Sequence, residues 1–72
     1  MQRELIKQVI KHFGTQEKAA DALGCSQPLI SAWLNGSKNV SLEMALRIQS
    51  RTKHVFKASS FNKRAAEFEE AQ

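Results

Sequence analysis

Within QEKAADALGCSQPLISAWLN, Gln16 to Asn35, five residues fall on one side of a helical repeat: Ser26, Gln27, Ser31, Ala32 and Asn35. Their side chains are short or amide-bearing. Such a set makes and breaks no covalent bonds, but it recognises well. A glutamine amide donates and accepts in one plane, and can pair with adenine through N6 and N7 together. Groups suited to catalysis do not assemble in the same way. His12 and His54 are distant in sequence, with no cysteine or carboxylate at ligand spacing, so no metal is expected. Cys25, the single cysteine, lies among apolar residues and reads as a small buried hydrophobe rather than a nucleophile. There is no Ser-His-Asp set, phosphate-binding loop or paired carboxylate. The expectation is a recognition protein, with neither enzymatic activity nor cofactor.

Recognition of this kind requires elements that hold the polar side outward. Leu5, Ile6, Val9, Ile10 and Phe13 recur at the spacing of one helix face, which predicts a first helix from Gln2 to about His12 that ends at Gly14. Thr15 can cap a second helix, and Glu17 suits the positive end of its dipole. Ala19, Ala20 and Leu23 form its inner side, and Gly24 stops it. Ser26 then caps a third helix. Pro28 is tolerated there because it falls in the first turn, where its missing N–H has no partner to lose. Leu29, Ile30, Trp33 and Leu34 supply the buried stripe, and Asn35-Gly36 closes the helix. Ser41 caps a fourth helix to about Thr52, offering Leu42, Ala45, Leu46 and Ile48 to a core.

At 72 residues the chain has room for one small domain with a limited core, so dimerisation is plausible. No apolar run approaches the roughly 20 residues that span a bilayer. Charges interrupt the N-terminal apolar pairs, which argues against a signal peptide. These features predict a soluble cytoplasmic protein in a reducing compartment, with no membrane association. The formal net charge is +4 and is spread unevenly. Lys38, Arg47, Arg51, Lys53, Lys57, Lys63 and Arg64 are opposed only by Glu43, whereas Glu67, Glu69 and Glu70 gather at the end. A polyanion partner is expected, nucleic acid ahead of membrane.

Two short helices joined by a glycine-containing turn, the second with a polar exposed side, meet the physical specification of a helix-turn-helix. Ala20 permits close approach, Gly24 makes the turn, and Ile30 with Trp33 fills the angle. The twenty residues from Gln16 to Asn35 resemble the helix-turn-helix of the lambda repressor and Cro family, with Ala20, Gly24, Ile30 and Trp33 at its fifth, ninth, fifteenth and eighteenth positions. HFGTQEKAADALGCSQPLISAWL is also similar to the Cro proteins of lambdoid phages, and the domain plan is shared with YdaS-type antitoxins. The resemblance covers residues 5 to about 52.

It implies an operator-binding repressor of double-stranded DNA, acting as a homodimer in a bacterial cytoplasm and nucleoid. Repression would be steric, by excluding polymerase from a promoter. Carried over position by position, it implies that Gln27, Pro28, Ser31 and Ala32 face the bases. Pro28 departs from the usual polar residue and would touch a thymine methyl. Gln16 would hold a phosphate and brace Gln27. Lys18, Ser26, Asn35, Ser37, Lys38 and Asn39 complete the phosphate set, with Lys38 foremost. Arg47 and Arg51 can reach the DNA backbone, although a Glu43–Arg47 ion pair is an equal expectation. The rival reading is an antitoxin that binds a toxin protein and represses its own operon.

The remainder reads less clearly. The architecture expected is all-α, with four or five helices and a C-terminal segment that is either helical or a short strand. HVFKASSF alternates weakly, and NKRAAEFEEA suits a fifth helix capped by Ser59 or Ser60, on which Phe61 and Phe68 would share a face. We place the DNA-binding domain at residues 1–58 and a C-terminal segment at 59–72, with Val55, Phe56 and Phe61 as the expected dimer contact. Phe56 and Phe61 are also the only rings that a single-strand stacking platform could use.

Overall fold

Local capping chemistry sets the helix boundaries. The protein was analysed as a computed structural model, which describes residues 2–70 and the side chains of 3–67. The described residues form five α-helices and one 3-10 turn and contain no strand. The chain divides into two compact units, Met1–Asn39 and Val40–Gln72.

The first unit holds α1 (Gln2–Phe13), α2 (Gln16–Leu23) and α3 (Gln27–Asn35), each packed on the other two. The Thr15 hydroxyl accepts from the Lys18 N–H at 3.1 Å, and the Ser26 hydroxyl from the Leu29 N–H at 3.3 Å. Each thereby satisfies one of the donors that a helix start leaves open. Ile6, Val9, Ala19, Ala20, Leu23, Ile30 and Trp33 are buried, while Leu29 and Leu34 are half-buried. Cys25 is half-buried rather than fully enclosed, because it lies in the three-residue turn between α2 and α3.

The second unit comprises α4 (Leu42–Arg51), the 3-10 turn Ala58–Ser60 and α5 (Ala65–Glu70). Ser41 caps α4 through the Met44 N–H at 3.2 Å. Val40, Ala45, Ile48, Ala58, Phe61 and Ala65 are buried. Several expectations for this half are corrected. The stretch with strand-like alternation folds as turns and a 3-10 turn. Thr52 and Gln49 dictate this: the Phe56 N–H donates to Thr52 Oγ1 at 3.3 Å, and the Ala58 N–H to Gln49 Oε1 at 2.9 Å. Ser59 and Ser60 lie inside the 3-10 turn, five and more residues before α5 begins. Asn62 stands nearest that role, its Oδ1 accepting from the Arg64 N–H at 3.0 Å. Phe61 precedes α5, so it shares no continuous helix with Phe68, whose side chain lies outside the described residues.

Phe61 is only 2% exposed, with its ring 6.4 Å from that of the half-buried Phe56. A core position removes Phe61 both from the expected dimer contact and from any exposed stacking platform.

Helices α2, α3 and α4 end alike. In each, an N–H just past the helix reaches back five residues, Cys25 to Ala20, Ser37 to Ala32 and His54 to Gln49, at 3.0, 3.0 and 2.8 Å. The residue before that donor is left-handed, with φ of 67° at Gly24, 81° at Gly36 and 53° at Lys53. Glycine takes this conformation without steric cost, whereas a side chain is strained by about 1–2 kcal/mol. After deducting the extra freedom that glycine loses on folding, Lys53→Gly should stabilise the protein by about 0.5–1 kcal/mol. A thermal melt should therefore move up by roughly 2–8 °C. A lower melting temperature would mean that the Lys53 side chain contributes more than its backbone costs.

Candidate nucleic-acid interface

The start of α3 is held by α2. Gln16, the first residue of α2, donates from Nε2 to the Gln27 backbone carbonyl at 3.2 Å and to Ser31 Oγ at 2.6 Å. The two acceptors lie one turn apart on α3, so a single amide sets both the position and the rotation of that helix. The brace runs to the backbone of Gln27 and to Ser31. Gln27 itself is exposed, as are Pro28 and Ser31, and Ala32 is half-buried beside them. Because Ser31 Oγ accepts from Gln16, what it can offer a ligand is its own proton. Ser31 is thus suited to acceptors: a phosphate oxygen, guanine N7 or O6, or thymine O4.

The opposite end of α3 carries the polar loop. Asn35 Oδ1 accepts from the Ser37 N–H at 2.8 Å, which turns the amide nitrogen away from the loop. Ser37 Oγ donates to the Ala32 carbonyl at 3.5 Å, so both donors of Ser37 point inward. Lys38 and Asn39 are exposed, as are Lys18 on α2 and Ser26 at the α3 cap. Ser26 Oγ serves the Leu29 N–H and keeps its hydroxyl proton. The residues expected to face bases, and the phosphate set from Gln16 to Asn39, therefore lie in the first unit.

Arg3 joins this surface without having been anticipated. Its Nε donates to the Leu34 carbonyl at 3.0 Å, linking α1 to the C-terminal end of α3 across 31 residues of chain. No periodicity or motif signals such a contact. Arg3, Trp33, Leu34, Asn35, Gly36, Lys38 and Asn39 enclose a cleft of about 440 Å³. In the second unit, Arg47 pairs with Glu43 at 3.0 Å, as the i, i+4 spacing allowed. Among the described residues no cluster of three or more His, Cys, Asp or Glu is placed to hold a metal, and no helix is long and apolar enough to cross a membrane.

The family model described as DNA-binding transcriptional regulator Cro matches residues 6–68. Among curated proteins, the regulatory protein cro of Pseudomonas phage D3 is 38% identical over 53 residues, 74% of this chain and 73% of that protein. No solved structure gives a significant match.

Proposed function

We propose an operator-binding mechanism for this chain, which belongs to the Cro family of DNA-binding transcriptional regulators. In this reading α3 enters the major groove with Gln27, Pro28, Ser31 and Ala32 against the base edges, and α2 crosses the backbone. Gln27 pairs with adenine, and Pro28 packs against a thymine methyl. Lys38 is the foremost phosphate contact, with Lys18, Ser26, Asn35 and Asn39 around it, while Gln16 and Ser37 spend their donors within the fold. These contacts fix register, and the bases supply specificity. Bound over a promoter, the protein represses by excluding polymerase.

The observation that carries the reading is the Gln16 brace. It holds α3 from α2 through the Gln27 carbonyl and Ser31, yet leaves the Gln27 side chain exposed. A helix locked in place with its polar side outward suits base reading, which requires side chains set before the DNA arrives.

The protein acts as a homodimer on DNA, with half-site centres about 34 Å apart, one helical turn. Val55, at 63% exposure, and the half-buried Phe56 are the candidate contact. Selection of bound sequences from random double-stranded DNA tests the proposal. It should return a palindrome with that spacing. A single non-repeated site would contradict the dimer. Failure to enrich any sequence, with co-purification of a neighbouring gene's product, would favour the antitoxin reading instead.

A further inference from the structure

We propose that the cleft at the C-terminal end of α3 is a two-cation clamp for one phosphodiester of the DNA backbone, with Arg3 as its second cation. The inference rests on the operator-binding reading and extends the interface to the first turn of α1.

Arg3 and Lys38 both line the cleft, and no carboxylate is among the residues that enclose it. The nearest acid in sequence to Arg3, Glu4, reaches toward Lys7 at 3.8 Å. The bond from Arg3 Nε to the Leu34 carbonyl uses one edge of the guanidinium and aims the remaining N–H groups. Asn35 contributes donors too, because its Oδ1 is occupied by the Ser37 N–H and its amide nitrogen is left for a ligand. At Gly36 nothing lies within 4 Å of where a Cβ would stand, so the floor of the cleft is open to close approach.

One effect opposes anion binding here. A helix C-terminus carries roughly half a negative charge, which would repel a phosphate. Arg3 and Lys38 together outweigh it about fourfold, and Arg3 acts directly by bonding one of the carbonyls responsible. A free phosphate has the same anionic oxygens, but the cleft borders the DNA-reading helix, so a backbone phosphodiester is its occupant. The planar guanidinium suits two oxygens at once, and the lysine a single point of charge.

The test compares wild type, Arg3→Gln, Arg3→Lys and Lys38→Ala in salt titrations on the selected operator and on scrambled duplex, with thermal melts of each. Arg3→Gln should weaken binding to both duplexes alike and lower the log–log salt slope by about 0.9 per protomer, as Lys38→Ala does. Arg3→Lys should keep the slope. Arg3→Gln combined with Lys38→Ala should lose less than the sum of the singles, since both cations hold one phosphate. If Arg3 only caps α3, Arg3→Gln will melt earlier and keep the wild-type slope, which overturns the clamp while Gln27 and Lys38 still behave as DNA contacts. Side-chain resonances of Arg3 that respond to inorganic phosphate but not to duplex DNA would also overturn it. Failure of wild type to bind any duplex at low salt would reject the operator-binding reading together with the clamp.

Discussion

Ala20→Glu should strongly destabilise the protein and abolish DNA binding. Ala20 is 3% exposed on α2, in the unit where Leu23, Ile30 and Trp33 are equally enclosed. A methyl group allows α2 and α3 to approach closely across the three-residue turn. A glutamate must either take its carboxylate out of water or force the helices apart. An uncompensated buried charge costs about 3–5 kcal/mol. A chain of this length is stabilised by roughly 4–11 kcal/mol in total, so the loss is a large fraction of what there is. Circular dichroism during a thermal ramp, with binding measured on the same samples, checks this. Ala20→Gly is the control: it costs about 1 kcal/mol of helix propensity and adds no charge, so binding should survive. A glutamate variant that melts with wild type and binds normally would show that the α2–α3 pairing is not as described.

Gln27→Ala should leave stability within about 0.5 kcal/mol, since the side chain is exposed. Its affinity for the selected operator should nevertheless fall by about 1–3 kcal/mol, on the order of 5- to 150-fold. The difference between the two magnitudes makes the variant informative, because a change in binding without unfolding belongs to the interface. The partner base can be identified in the same series. Replacing the adenine that Gln27 reads should cost wild type about 1–3 kcal/mol and the variant nothing further. If every operator position penalises the variant as it does wild type, Gln27 reads no base.

Features encoded within a few residues were legible from the sequence alone. Thr15, Ser26 and Ser41 cap where hydroxyl chemistry places them, each bonding an N–H three residues on. Gly24 and Gly36 stop their helices in the left-handed conformation. The same reasoning passed over Lys53, because the pattern that ends α4 is equal in hydrogen bonding but lacks the glycine that advertises it. Residues 54–61 stayed open between helix and strand for a different reason. Alternation in HVFKASSF suggested extension, yet the path is set by Gln49, whose acceptor holds an N–H nine residues away. In the interface, the polar side of α3 follows from local spacing. Its supports do not: the Gln16 brace came from the family resemblance, and runs to the Gln27 carbonyl and Ser31 rather than the Gln27 side chain, while Arg3 reaches Leu34 across 31 residues with no local signal.

The central claim is a division of labour, with Gln27 reading bases and Lys38 holding phosphate. Salt titrations of wild type, Gln27→Ala and Lys38→Ala on selected and scrambled duplexes test it most directly. Gln27→Ala should lose affinity on the selected duplex alone and keep the wild-type salt slope. Lys38→Ala should lose affinity on both duplexes about equally, with the slope reduced by about one unit per contact. Equal losses on both duplexes for Gln27→Ala, or a loss confined to the selected duplex with unchanged slope for Lys38→Ala, would contradict the account by exchanging the groove and the rim.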